Sequence, residues 1–198
     1  MTGPPAPLPL TAGAFREAMW DRLAGTRAVS YPLPPHGHHP NFVRARDAAR
    51  QLLAHPEVAG RRVLIVGPER VLLPLRKLAL DAGLTLYVPH QKKEGWYWRL
   101  TDPAGAQLSR MAAVGEPRLQ PEGAQAAVLA CVTVDRQGGR LGKGYGWGAR
   151  GLNLGLPEYT LAHPLMLVER LACPADSQVR LIGTPGGVIE PESPAERA

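Results

Sequence analysis

The chain of 198 residues suits one domain with short extensions, and a hydrophobic content of 44% is enough to fill a core. No apolar run approaches the roughly 20 residues of a membrane span, and two cysteines, Cys131 and Cys173, do not make a secreted disulfide scaffold. A formal charge of +6 with a pI near 9.7 favours anionic partners such as phosphorylated metabolites, polycarboxylates or nucleic acid.

Residues 1–11 are proline-rich and lack a charged start followed by an apolar stretch, so they read as a disordered leader and the cytoplasm is the expected compartment. The domain is expected over residues 12–190, with a frayed tail at 191–198. Ala14 to Leu23 has Phe15, Met19, Trp20 and Leu23 at helical spacing, with Thr11 as a cap. Tyr31 to Pro40 is a proline- and histidine-rich loop. His36, His38 and His39 are expected to be exposed in it and not to hold a metal, because no Cys or carboxylate stands beside them at ligand spacing. Asn41 is the predicted cap of a second helix running to about Ala54, with Phe42, Ala45, Ala49 and Leu52 or Leu53 inward.

Arg62 to Val66 is a short strand, Leu72 to Ala82 a helix with Pro74 in its first turn and Gly83 closing it, and Leu84 to Val88 the next strand. This alternation predicts a mainly parallel sheet covered on both faces. Trp96 to Trp98 reads as an edge strand with both tryptophans on one face, and Gly115 to Gly123 as loop. Ala126 to Val134 is one buried strand that takes Cys131 into the core, followed by a turn over Asp135 to Gly139. Three further short strands are expected within Leu165 to Val168, Val179 to Ile182 and Val188-Ile189.

The most informative segment is Arg140-Leu-Gly-Lys-Gly-Tyr-Gly-Trp-Gly-Ala-Arg150, with glycines at every second position, 142, 144, 146 and 148. Such a composition weakens a strand. It suits a loop whose backbone must take positive φ and bring amide N–H groups close to an anion. Arg140, Lys143 and Arg150 add positive charge, and Lys143 is one of only four lysines among 23 basic residues. The pattern is neither a Walker A loop, because Tyr145 follows Lys143-Gly144, nor the Gly-x-Gly-x-x-Gly of a dinucleotide fold.

The order of these pieces resembles the 5-formyltetrahydrofolate cyclo-ligase (methenyltetrahydrofolate synthetase) family, and within it the cyclo-ligase-like paralogue branch. The pieces are Arg16-x-x-Met19-Trp20, Pro40-Asn41-Phe42, Pro74-Leu75-Arg76, Leu86-Tyr87-Val88-Pro89, Arg140-Leu-Gly-Lys-Gly-x-Gly, and Thr184-Pro185 with Val188-Ile189. The resemblance implies a single three-layer α/β domain with a mainly parallel sheet, of the NagB/RpiA/CoA transferase-like kind. It implies ATP, with Mg2+, and a reduced folate as small-molecule partners. In the implied reaction ATP phosphorylates the formyl oxygen on N5, N10 closes the ring, and phosphate leaves to give the 5,10-methenyl product. By the same resemblance Lys143 and Arg140 are catalytic, and Arg16, Gly142, Lys143, Gly144, Tyr145, Gly146, Trp147 and Arg150 hold the nucleotide. Phe42, Tyr87, Trp96 and Trp98 contribute to the folate side.

The chain departs from the family pattern at several points. Ala149 stands where the family places a magnesium-binding Asp, and alanine has no ligand to offer. A second basic position before Arg16 reads Ala12, a late His-Asp pair reads Ala175-Asp176, and the folate-contacting Glu has no counterpart in Pro35 to Asn41. Asp135 and Asp176 are the candidates to replace the missing carboxylate. Two functions therefore compete: an ATP-dependent folate ligase of one-carbon metabolism, and a paralogue that binds nucleotide or folate without turnover. Nucleic-acid binding ranks last because the basic residues form no compact stripe.

Overall fold

A computed structural model describes residues 11–192. Most of the expected leader and tail lies outside the described residues. Thr11 instead belongs to the fold: its side chain accepts the Ala14 amide and caps α1 (Ala12–Ala24), an interaction worth about 1 kcal/mol. Met19, Trp20 and Leu23 are the buried residues of that helix.

The main sheet has eight strands in the order β12-β11-β8-β5-β1-β2-β3-β4. In chain order these are β1 (Val63–Val66), β2 (Thr85–Pro89), β3 (Tyr97–Leu100), β4 (Glu116–Arg118), β5 (Ala126–Val128), β8 (Glu158–Leu161), β11 (Leu181–Thr184) and β12 (Gly187–Ile189). The central run β11-β8-β5-β1-β2 is parallel, and β12, β3 and β4 pair antiparallel at its margins. A second sheet orders β10-β7-β6-β9, from β6 (Thr133–Asp135), β7 (Gly139–Leu141), β9 (Leu167–Val168) and β10 (Ser177–Gln178).

One face of the main sheet is packed by α2 (Ala45–Ala54), α4 (Leu73–Asp81) and α5 (Leu108–Val114), against a continuous core that includes Leu64, Val66, Leu86, Val88 and Val128. The alternate residues Ile65, Tyr87 and Ala127 face the other way, as the strand period of two requires. There they meet Tyr97 and the chain that follows the glycines, through Trp147, Leu152 and Leu156. The layer on this second face is thus made of loop, and it carries the candidate site. Among the described residues no helix is long and apolar enough to cross a membrane.

Four local expectations are corrected. Asn41 caps no helix: its side chain donates to Ser30 Oγ and to the Tyr31 carbonyl, Phe42 bridges Val29 in extended conformation, and α2 starts only at Ala45. The apolar run Ala126 to Val134 is two strands in two sheets, joined by the buried segment that holds Cys131. β3 is not at the edge, because β4, expected to be loop, pairs outside it. Trp96 precedes β3, so it shares no strand face with Trp98. The sequence reading also omitted β7, β8 and β10 as strands, with residues 139–141 read as turn and loop, and the helices α3 (Pro56–Ala59) and α5.

Candidate functional site

Chain order around the sheet reverses between β1 and β5: β1 leads to β2 on one side, and β5 lies beside β8 on the other. Open α/β sheets bind ligands outside the carboxyl ends of their strands at such a point. Gly67 follows β1 there and Leu129 follows β5, and the glycine loop crosses above them, with Gly148 against the Leu129 side chain.

The loop leaves β7 and its glycines do what their spacing predicts. Gly144, Gly146 and Gly148 have φ of 96°, 84° and 69°, while the intervening Tyr145 and Trp147 stay at negative φ. A backbone that alternates in this way builds the concavities in which successive amides meet an anion. The amides of residues 144–148 donate to no acceptor among the described residues. Those of Gly142 and Lys143 are engaged, by Asp176 Oδ2 at 3.0 Å and His39 Nε2 at 3.2 Å. Free and occupied amides therefore divide sharply at Gly144.

The cations around the loop play different parts. Arg140 is 1% exposed. Its guanidinium donates to the Ala130 carbonyl, to Ser177 Oγ and to the Gly148 carbonyl, tying the loop to the segment between the two sheets. Arg16, from α1, donates to the Gly142 carbonyl at 2.7 Å and to Asp176 Oδ2 at 2.8 Å, and its guanidinium would stand 3.1 Å from a Cβ added at Gly144. Lys143 Nζ rests 4.4 Å from the centre of the Tyr145 ring, whose hydroxyl donates to the Gly37 carbonyl. Arg150 is exposed and without a partner among the described residues.

Beside the loop opens a cavity of about 640 Å³, walled by Trp147, Gly146, Trp96, Tyr97 and the ends of β1 and β2 at Pro68 and Pro89 to Lys92. Trp96 and Trp147, named from sequence, meet there. Trp98 is on the helix-covered side, stacked on His90 at 4.6 Å, and lines a second cavity of about 570 Å³ against α5 that shares His90 to Lys92 with the first. Phe42 is 2% and Tyr87 3% exposed. Phe42 belongs to the main core, and Tyr87 supports Tyr97 edge-on from below the cavity.

Sequence reasoning missed two residues here. His39, expected to be exposed, is buried under the loop, and burial first, then the nearby Arg140 and Lys143, push its pKa down to about 3. It is therefore neutral, with Nε2 accepting the Lys143 amide and Nδ1 directed at Glu69 Oε1, 3.6 Å away. Burial raises the Glu69 carboxyl above the usual range. Its Oε2 fills the space over Gly67, where an added Cβ would overlap it. Arg76, lowered by burial to about 10 but still charged at neutral pH, fixes the 67–69 turn through the Gly67 and Glu69 carbonyls. The position of Glu69 just past a parallel strand was the only available signal. Neither spacing nor composition marked His39.

Asp135 accepts the amides of Gln137, Gly139 and Leu171, which makes it a turn residue and not a site carboxylate. Cys131 and Cys173 are free, and burial raises the Cys131 thiol to about 11.

These features define a glycine loop with unengaged amides beside an aromatic cavity on a parallel sheet. The chain belongs to the 5-formyltetrahydrofolate cyclo-ligase family, which it matches over residues 15–185. It is 28% identical over 200 residues to the mouse (Mus musculus) methenyltetrahydrofolate synthase domain-containing protein, covering 89% of this chain and 54% of that one. The human (Homo sapiens) counterpart is 28% identical over 199 residues, covering 88% and 52%. The chain thus spans about half the length of the curated relatives it matches. Among solved structures, Aquifex aeolicus 5,10-methenyltetrahydrofolate synthetase is similar in fold, with a TM-score of 0.61 at 21% identity, covering 90% of this chain and 94% of that one. The Mycoplasma pneumoniae 5,10-methenyltetrahydrofolate synthetase gives a TM-score of 0.50 at 13% identity, covering 89% and 99%.

Proposed function

We propose that the protein is a folate cyclo-ligase-type catalyst that holds the phosphates of ATP on the glycine loop and a reduced folate in the adjacent cavity. The observation that carries this reading is the run of unengaged amides at residues 144–148, flanked by Arg16 and Lys143 and opening beside an aromatic cavity. In the reaction the γ-phosphoryl passes from ATP to the N5-formyl oxygen. N10 then attacks the activated carbon and gives up its proton to solvent, and the C–O bond breaks with loss of inorganic phosphate, leaving ADP and the methenyl product. The loop amides and Lys143 spread the charge of the transferring group, which is the main work a protein does in phosphoryl transfer. Trp96, Tyr97 and Trp147 wall the ring and keep water from the activated formyl carbon. Arg140 shapes the loop and does not touch the ligand.

A second reading, binding without turnover, is favoured by Ala149. Incubation with 5-formyltetrahydrofolate and ATP separates the two, followed by absorbance of the methenyl product and by phosphate release. Turnover that falls in Lys143→Ala by about 10²–10³, the usual cost of one oxyanion-type contact, supports the ligase. Saturable ATP binding with no methenyl product leaves the second reading, and absence of both sinks each.

A further inference from the structure

The family implies magnesium with the nucleotide, and Ala149 leaves the glycine loop without a carboxylate of its own to hold the ion. Several nearby carboxylates are engaged or buried. Asp135 is consumed by three amides. Glu158 gives Oε2 to the Leu152 amide, and its Oε1 is buried. The Glu69 carboxyl is buried and pushed toward its neutral form. Asp176 pairs with Arg16 at 2.8 Å and takes the Gly142 amide on the same oxygen.

Glu94 differs from all of these. It stands at the tip of the hairpin that joins β2 to β3, beside Gly95 with its φ of 80°. The His90 amide donates to the Trp96 carbonyl at 2.9 Å, the Trp96 amide donates to the Lys93 carbonyl at 3.1 Å, and His90 Nδ1 accepts the Lys92 and Lys93 amides. These bonds fix the turn. Glu94 is exposed, and it pairs with neither adjacent lysine nor with any other group among the described residues. Lys93 instead places Nζ 5.4 Å from the centre of the Trp96 ring. Among the described residues Glu94 is the only acid lining the cavity of about 640 Å³, which Gly146 and Trp147 also line. Two of the five residues with unengaged amides therefore border the same space as this carboxylate.

Such a donor set fits magnesium. The ion keeps several waters and is held by one or two carboxylates together with substrate phosphates, with no cage of protein ligands. Among the described residues no three His, Cys, Asp or Glu side chains gather to hold a metal by themselves, so its other ligands would be phosphate oxygens and water. Charge points the same way. A lone carboxylate bordering an anion site repels the phosphate chain, and a dication between the two turns that repulsion into attraction. We propose that Glu94 is the carboxylate that holds the nucleotide's magnesium ion, acting from the β2–β3 hairpin in place of the ligand that Ala149 lacks. The inference rests on the reading of the loop as a nucleotide site. Magnesium bound there would neutralise phosphate charge and orient the chain for transfer.

Calorimetric titration of the whole chain with ATP, in excess Mg2+ and in EDTA, tests it in wild type and in Glu94→Gln. Wild type is expected to bind the magnesium complex more tightly than metal-free ATP. Glu94→Gln is expected to weaken binding in Mg2+ by about tenfold, the order of a unit charge facing a dication in a largely solvated setting, and to tighten binding in EDTA. Opposite signs are the signature, since removing a negative charge with no metal beside it would tighten both. The thermal midpoint should not move, because Glu94 has no partner to lose among the described residues. Glu122→Gln controls for net charge: it is exposed ahead of β5, at the amino ends of the parallel strands, and should leave both affinities as they were. Mg2+ titrated without nucleotide is expected to give no saturable heat. ATP affinities that in Glu94→Gln stay unchanged or shift in the same direction leave the nucleotide site standing and overturn the proposal. Saturable Mg2+ binding without nucleotide that persists in Glu94→Gln overturns it as well. Absence of ATP binding in either condition refutes the nucleotide reading of the loop, and the inference with it.

Discussion

Arg140→Met is expected to lower the stability of the protein by about 3–5 kcal/mol, because it leaves three polar groups without a donor at about 1–3 kcal/mol each. The apolar stem of Met fills most of the volume. It leaves the Ala130 and Gly148 carbonyls and Ser177 without the donor that each now has. For a chain of this length the thermal midpoint should fall by roughly 10 °C or more, and proteolytic nicking should appear within the loop. Arg140→Lys should recover only part of the loss, since an ammonium cannot span three acceptors lying in different directions. A fall below about 1 kcal/mol in urea unfolding would mean that the loop holds its shape without this guanidinium.

The buried His39 makes acid sensitivity the second large effect. Its folded pKa of about 3 lies below the ordinary 6.5, so the unfolded chain takes up a proton that the folded one refuses. Stability contributed by the neutral ring is complete above pH 6.5 and is lost as pH falls toward 3. Glu69 acts with the opposite sign, since its raised pKa costs stability as pH rises above the ordinary 4.5. The comparison that isolates the histidine is therefore wild type against His39→Gln, whose amide oxygen can still accept the Lys143 amide. Between pH 6.5 and 4, wild type is expected to lose up to about 1.4 kcal/mol per pH unit more than the variant. Denaturant unfolding at pH 4, 5, 6 and 7 reads this difference directly, and parallel pH curves would show that His39 does not titrate as its burial demands.

How much of this was legible in the chain follows from where each signal is encoded. Positive φ at Gly144, Gly146 and Gly148 is a local demand that only glycine meets cheaply, so alternate glycines announced the loop and its shape. The helices with Thr11 at one start and Gly83 at one end were legible for the same reason, since caps are local chemistry. His39 meets Lys143 across 104 residues of chain, and nothing in either neighbourhood states that contact. The run Ala126 to Val134 is apolar throughout because both sheets bury it, and periodicity does not reveal where a strand leaves one sheet for another. Asn41 has the side chain of a helix cap, but its amide group donates to Ser30 Oγ and the Tyr31 carbonyl, 11 and 10 residues back in the chain, and α2 starts only at Ala45.

The alternation of φ sign along 143–148 also has a consequence for handedness. At 144, 146 and 148 the backbone occupies territory that is natural for residues of the D series, while Lys143, Tyr145 and Trp147 remain in that of the L series. For these residues the loop is folded as a heterochiral peptide would be. A chemically synthesised protein with D-alanine at 146 should keep the loop's shape and gain rigidity by restricting the unfolded chain. L-alanine at the same place would strain it. At 146 the nearest neighbour to an added L-type Cβ is the flexible Lys143 side chain, at 3.7 Å, so the penalty on L-alanine comes from the backbone and not from crowding.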